Sequence, residues 1–389
     1  MVPNPILTLE LIQAQVNFIP EGWRLDKVGN VLSIKNTFRK PISQEIRSTI
    51  PGFYPYYGPT KIQDYISEYE QDGTYALIGE DGDHFLKYSV MRQTQFIHGK
   101  CTVNNHAHIL DSTKTCDSEW FYIFFKHRNI TNFLSRQGAG RFKLNKATLE
   151  RLPLLVPPIN EQRKIAKILS TWDKAISTTE RLIDNSKQQK KSLMQQLLTG
   201  KNRLSDDSGK PFEGDWEDVM LGDVSHITTG SSNREDSSLD SKYAFFDRSE
   251  DIRTSSRYLF DSEAVIVPGE GQDFVPKHFK GKFDLHQRTY AILDFKNCVG
   301  RFIFYYIGYY RYYFLAQAVG STVKSLRLPM FKKMPIKLPS EKEQEKIAFA
   351  LTSADKEVEL LKQQLSDLKQ EKKALMQQLL TGKRRVTIN

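Results

Sequence analysis

Residues 193–201 read LMQQLLTGK, and residues 375–383 read LMQQLLTGK again, 182 positions further on. The same offset, without a gap, carries EQRKIAKIL from Glu161 onto EQEKIAFAL from Glu343, Pro153 and Pro157 onto Pro335 and Pro339, and Asp173-Lys174 onto Asp355-Lys356. A looser echo lies upstream. There EGW and VGNV, between Glu21 and Val31, match EGDW and LGDV, between Glu213 and Val224, with Trp23 and Trp216 193 positions apart. The chain is therefore a duplicated unit whose first copy is longer by 193 less 182, or 11 residues, all of them between the matched ends.

In the first copy Ile165, Leu169, Trp172, Ile176, Thr179, Ile183, Ser186, Lys190, Leu193 and Leu197 follow alternating steps of four and three. That is the spacing of a helical seam. The second copy repeats it as Ile347, Leu351, Ala354, Val358, Leu361, Leu365, Leu368, Lys372, Leu375 and Leu379. Each run follows a proline-bearing entry, LPLLVPPINEQ or MPIKLPSEKEQ, and ends at Thr-Gly-Lys, where Gly200 or Gly382 can take the left-handed conformation that closes a helix. Ser340 and Glu343 are spaced as a capping box. A helix of about 38 residues would be roughly 57 Å long, and it cannot bury its seam alone. Antiparallel pairing with its own copy gives partners a constant sum, and a sum of 544 sets Ile165 against Leu379, Ile183 against Leu361 and Leu197 against Ile347. In that register Lys372 would lie over Trp172, and Lys190 would pass small Ala354 to reach water. The alternative is that the two stripes face separate cores or another protein.

A chain of 389 residues with 39% hydrophobic and 26% charged content has the composition of a globular protein with room for two or three domains. A net charge of +10 and a pI near 9.2 favour a polyanionic partner. Cys101, Cys116 and Cys298 have no C-x-x-C spacing and cannot all pair, which points to structural thiols in a reducing compartment. The start MVPNPILTLE has no secretory pattern, and FIFYYIGYYRYYFLA (302–316) is too short and too polar to span a bilayer, so a cytoplasmic location with no membrane contact is expected.

The fold class expected is mixed α+β, with modules at 1–151 and 204–333 and helical regions at 152–203 and 334–389. Each module has strand-like runs punctuated by glycine, then an aromatic segment expected to be helical (EWFYIFFKHRNITNFL; RFIFYYIGYYRYYFLAQA), then a basic glycine loop (RQGAGRFKLN; VGSTVKSLR). Matching features precede the loops: IGEDGDHF with GKCTVNNHAHIL in the first, PGEGQDF with HFKGKFDLHQRTYAIL in the second. Their polar tips, Asn104, Asn105 and His106 in one module and His286, Gln287 and Arg288 in the other, are candidates for reading base edges. The other reading of each is a side chain satisfied within the fold. Lys100, Arg136, Arg141, Lys143, Lys282, Lys324 and Arg327 are candidates for phosphate contact, or solvated charge.

With these residues in view, the sequence resembles the specificity subunits of type I restriction-modification enzymes. The resemblance rests on the entries at Trp23 and Trp216, on YPYYGPTKIQDYISEY (54–69), on GKCTVNNHAHIL and GKFDLHQRTYAIL, and above all on the twice-used LP…EQ…IA…LL-TG segments. It covers nearly the whole chain. It implies a non-catalytic subunit that reads a bipartite, asymmetric site in double-stranded DNA, with paired helices that set the gap between half-sites and help dock two methyltransferase subunits, which restriction subunits join. S-adenosylmethionine, magnesium and ATP would belong to those partners, and this chain would hold no cofactor. Pro158 stands where the second copy has Ser340, and the first seam is the more polar through Thr179, Ser186 and Lys190.

An enzyme would need chemistry that the residues do not supply. No G-x-x-x-x-G-K-[ST] occurs, and GAG (138–140) and GEG (269–271) lack the further glycine of a dinucleotide loop. Glu80, Asp81, Asp83 and His84 form a polar turn that the second module replaces with EGQD, so no metal site is expected. Two further readings stay open: a sequence-specific DNA-binding protein acting outside restriction-modification, and a coiled-coil scaffold with no nucleic-acid role.

Overall fold

The structure, a computed structural model, describes residues 5–137 and 141–388, the side chains of residues 5–8, 136, 137 and 141 excepted. The chain divides into two compact units, one of residues 1–178 with 365–389 and the other of residues 179–364. Each unit thus holds one module together with a part of both long helices.

The first unit is built on a six-stranded sheet. Its strands are β1 (Ser33–Ile34), β2 (Pro51–Tyr57), β3 (Ile62–Ile66), β4 (Gln71–Gly79), β5 (Thr94–Val103) and β6 (Ala107–Asp111), in the order β1-β6-β4-β5-β2-β3. The second unit uses β7 (His226–Thr229), β8 (Ser237–Ser238), β9 (Tyr243–Phe246), β10 (Arg253–Ser255), β11 (Phe260–Pro268), β12 (Lys277–Leu285) and β13 (Thr289–Leu293), in the order β7-β13-β11-β12-β9-β10-β8. Apart from the edge strand β8 the two orders are the same, including a parallel pair, β2 with β5 and β9 with β12, in otherwise antiparallel sheets. The registers agree as well. Gln71 opposes Cys101 as Phe260 opposes Phe283, and Tyr56 opposes Thr102 as Phe245 opposes Asp284.

Successive residues of a strand face opposite sides of the sheet, and the inner part of each central strand is apolar because both of its faces are covered. In β4, Ala76 and Ile78 enter the main core while Leu77 faces a second cluster with Ile97, Val103 and Ile109. In β11, Val265 and Val267 face the main core while Ala264 and Ile266 face Phe246 and Phe283. The ends of each module are tied to each other: Arg24–Lys27 pairs with Pro153–Val156, and Glu217–Met220 with Pro335–Leu338, both antiparallel. The strands that follow the duplicated EGW and EGDW entries are therefore hydrogen-bonded to the proline-bearing segments, and everything variable is looped out between them.

The aromatic segments are shorter helices than expected. The first, α1 (Ser118–Phe125), starts where the Asp117 side chain accepts from the Glu119 N–H at 3.0 Å, and it stops before Asn129. The rest of that segment holds only a single turn at Thr131–Phe133. The second breaks into Gly300–Tyr309 and Tyr312–Gln317. The buried faces of both carry the apolar payload, Trp120, Phe121 and Phe124 in one and Phe302, Ile303 and Tyr306 in the other.

The helices of the repeat are α2 (Ile159–Leu198, 40 residues) and α3 (Glu341–Leu379, 39 residues). In the first unit Ile165 and Leu169 of α2 share a core with Leu375 and Leu379 of α3, and the seam lysine Lys372 is ion-paired with Asp173. In the second unit Leu193 and Leu197 share a core with Ile347 and Leu351, Lys190 is ion-paired with Asp355, and the Ser186 hydroxyl bonds the Glu357 carboxylate at 3.1 Å. In each unit the numbers fall on one helix as they rise on the other, so the segments run antiparallel with partner sums close to 544. Trp172, Ile176, Leu361, Leu365 and Leu368 are half-buried, and Ile183 and Val358 are buried.

Three polar expectations need correction. Lys372 gives its ammonium to Asp173, to which Lys126 also reaches at 3.4 Å, rather than lying free over Trp172. Lys190 does not run past Ala354 to water; Asp355 takes it, and that carboxylate also accepts from the Tyr305 hydroxyl at 2.7 Å. Glu343 does not fold back on Ser340, because both its oxygens receive the Arg203 guanidinium, at 2.6 and 2.7 Å. At the other end Gly200 and Gly382 have φ of +68° and +69°, and the Asn202 and Arg384 N–H groups reach back six residues to Gln196 and Gln378, the pattern of a glycine-closed helix. Among the described residues no helix is long and apolar enough to cross a membrane.

Candidate nucleic-acid interface

In the first unit the turn from β5 to β6 is Asn104, Asn105 and His106. Asn104 is buried: its Oδ1 accepts from the His106 N–H at 2.9 Å and its Nδ2 donates to Gln63 Oε1 at 3.1 Å. That side chain makes the turn, and the expectation that it reads a base is withdrawn. Asn105 and His106 are exposed beside it. The Asn105 carbonyl accepts from Arg39 Nη1 at 3.0 Å, and His106 Nδ1 lies 2.9 Å from an Asp81 oxygen. The end of β4 brings Glu80 beneath the turn, bonded to Arg39 at 2.6 Å and to Lys143 at 3.4 Å. Burial alone would raise the Glu80 carboxyl, but Arg39, His108 and Lys143 hold it below the usual carboxylate range. The basic loop joins this group through the Leu144 N–H, which donates to the Glu80 carbonyl at 2.7 Å. The side chains of Arg136 and Arg141 and all of residues 138–140 lie outside the described residues. Glu80 is committed to Arg39 and Lys143 and Asp81 to the His106 ring, and His84 is buried with its pKa pushed down to about 4 by that burial.

The second unit repeats the convergence with other residues. Its turn from β12 to β13 is His286, Gln287 and Arg288. The Arg288 N–H donates to His286 Nδ1 at 3.1 Å, Gln287 Nε2 donates to Asn233 Oδ1 at 2.6 Å, and the Arg288 guanidinium meets Glu270 at 2.5 Å. Partial burial lowers the His286 pKa, against the pull of Asp247, which keeps the ring an acceptor for that turn. The basic loop arrives here as a strand: Ser325 and Lys324 pair with Glu270 and Gly271, and the Leu326 N–H donates to the Gly269 carbonyl at 2.8 Å. Lys324 and Arg327 are exposed. A cleft of about 330 Å³ opens at the turn, lined by Arg234, Asp247, Arg248, His286, Gln287 and Arg288. Lys100 and Lys282 stand four residues before their turns, on β5 and β12, each with its ammonium 4.7 Å from a tyrosine ring centre, Tyr69 or Tyr258.

The structure therefore collects three motifs that are far apart in sequence, namely strand end, turn and basic loop, at one place in each unit. Sequence reasoning missed Arg39, Asn233, Arg234 and Arg248. Arg39, Asn233 and Arg234 lie outside the stretches that align between the copies, and Arg248 falls opposite Pro59, so the internal repeat could not point to any of them. The exposed groups are hydrogen-bond donors and acceptors of the kinds that pair with base edges and phosphates.

Two units of one strand order, each presenting its own polar turn beside basic side chains, define a duplicated recognition protein. The chain belongs to the family described as type I restriction modification DNA specificity domain, which matches residues 20–186 and 213–370. The type I restriction enzyme MjaVIII specificity subunit of Methanocaldococcus jannaschii is 24% identical over 416 residues, covering 95% of this chain and 94% of that protein. S.HindORF215P, named as a type I specificity subunit of Haemophilus influenzae, is 37% identical over 149 residues, and that match spans 38% of this chain and only 36% of the relative. Among solved structures, the type I restriction-modification S subunit from M. genitalium has the same fold, with a TM-score of 0.66 at 13% identity over 96% of this chain and 98% of that one.

Proposed function

We propose that this chain is the DNA-reading subunit of a type I restriction-modification complex. Each module reads one half of an asymmetric, bipartite duplex site, and the paired helices hold the two readers a set distance apart. The observation that carries this is the pair of sheets with one strand order and one register, capped by different turns: Asn104-Asn105-His106 in one and His286-Gln287-Arg288 in the other. One frame suits one kind of ligand, and unlike turns suit unlike base sequences. Asn105, His106, Gln287 and Arg288 are assigned to base edges, with His286 shaping its turn. Arg136, Arg141, Lys143, Lys324 and Arg327 are assigned to phosphates.

The chain contributes recognition and no bond-making step. Methyl transfer and cleavage fall to its partners, two modification subunits and the restriction subunits, which would carry S-adenosylmethionine, magnesium and ATP. The complex would work in the cytoplasm, where its DNA lies. Exchanging residues 23–151 for the corresponding module of another specificity subunit tests the assignment. The methylated motif should change in one half-site and keep the other; a change in both halves, or in neither, contradicts independent reading.

A further inference from the structure

The two modules are nearly unrelated in sequence, so what they still share is informative. Aligned by strand register, residues 50–80 fall on 239–269 and residues 94–111 on 276–293. The identical positions are Tyr54 with Tyr243, Ser67 with Ser256, Tyr69 with Tyr258, Asp72 with Asp261, Gly99 with Gly281 and Lys100 with Lys282. All but the serines meet at one spot in each unit. Tyr54 and Tyr69 stand edge to face at 4.9 Å with Lys100 over Tyr69; Tyr243 and Tyr258 stand edge to face at 5.0 Å with Lys282 over Tyr258. The aspartates lie across the ladder from the lysines.

None of this is core. Tyr69 is 40% and Tyr258 43% exposed, both lysines are exposed, and Gly99 and Gly281 have φ of +78° and +129° with no contact under 3.4 Å where a side chain would begin. The Tyr69 hydroxyl beside it raises Lys100 above the usual lysine range.

We infer that each Tyr-Tyr-Lys cluster is a contact for the sugar-phosphate backbone of duplex DNA that is blind to sequence. A group kept identical while the neighbouring turns differ cannot be what distinguishes the two half-sites, and backbone contacts position a protein without reading bases. The place of the cluster favours nucleic acid over a protein partner. In both units it sits four residues before the turn on the same strand, ~13 Å at about 3.3 Å per residue, a distance that a duplex covers in about four base steps. A duplex that runs from the turn along that strand reaches the cluster within about four base steps. A lysine ammonium, tyrosine hydroxyls and an unobstructed glycine backbone suit a phosphodiester, and each aspartate is the counter-charge that the lysine exchanges for phosphate.

The inference rests on the DNA reading above, and one titration separates the two. Binding of the full chain to two mixed-sequence duplexes is followed against salt, for the unaltered protein, for Lys100→Gln with Lys282→Gln, and for the two Lys→Arg changes. The expected result is a slope of log K on log salt that falls by about 0.9 per lysine removed, to the same extent on both duplexes, and is restored by arginine. A flat slope in the unaltered protein removes the DNA reading itself. A steep slope that the glutamine pair leaves unchanged, with or without loss of binding to a methyltransferase subunit, overturns this inference alone. If the glutamine pair does not fold, Asp72→Asn with Asp261→Asn provides the measurement: tighter binding to both duplexes supports the contact, and unaltered binding overturns it.

Discussion

The repeated Glu-Gln pair at the start of each long helix shows how single residues hold the fold. Gln162 and Gln344 are fully buried and do the same work twice: each accepts the N–H of the residue near the start of an aromatic helix, Asp117 at 2.8 Å and Val299 at 2.9 Å, and donates to the carbonyl of the entry proline, Pro157 or Pro339. Their glutamate neighbours differ in detail. Glu161 takes the Trp23 indole N–H at 2.8 Å as well as Arg385, whereas Glu343 is given over to Arg203. Because the Glu343 side chain is 1% exposed, Arg203→Ala strands a buried carboxylate. The expected cost is about 3 kcal/mol, read as a lower midpoint in urea unfolding; a loss of a few tenths would mean that water replaces the guanidinium. Alongside His108, His127, His278 and His286, whose pKa burial also lowers, His84 contributes to the pH dependence. In the folded chain burial holds it neutral down to about 4, while an unfolded chain takes up its proton near 6.5, so stability should fall as pH drops from 6.5 toward 4 and then level off. Glu80, held below its usual range, adds loss in the same direction at lower pH. His84→Gln should flatten the upper part of that acid slope, measured by urea midpoints between pH 4 and 7; an unchanged slope would place the titrating group elsewhere.

At the scale of elements, the heptad spacing made the helices and their buried face legible, since a four-three stripe has only one face to bury, while the antiparallel sense and the sum of 544 needed the further supposition that the two copies pair with each other. What it could not show was the partner of each polar seam residue. Asp173 and Asp355 sit just beside the stripe, so a pattern of apolar positions is silent about them, and yet they take Lys372 and Lys190. The same silence hid the use of Asn104 inside its turn: asparagine next to a strand end reads equally well as a base contact or as a turn-former, and only the neighbouring Gln63 and the His106 N–H decide. The aromatic segments failed for another reason. A run rich in apolar residues looks helical throughout, and neither Lys126–Ile130 nor Tyr310–Arg311 holds a glycine or proline that would mark the break. The register itself is open to a direct check. Cysteines at Ile183 and Leu361 should form a disulfide in the folded protein under mild oxidation, seen as a shift on non-reducing gels. Pairing instead with a neighbour one turn away would displace the sum of 544.

For the whole molecule, duplication with divergence accounts for both the likeness of the sheets and the difference of their turns. Matching ends at Arg24–Lys27 with Pro153–Val156, and at Glu217–Met220 with Pro335–Leu338, close each module on itself, so the loops between them can change without disturbing the helices. The same arrangement makes the two readers separable in principle, and it assigns the constant parts of the chain to spacing and assembly and the variable parts to sequence. The measurement that bears most directly on this is methylome sequencing of cells with and without the gene. A single split motif, asymmetric and with a gap of fixed length, should be methylated in the parent and lose its methylation on deletion. A methylome that does not change, or the loss of a continuous palindrome instead, would contradict the account.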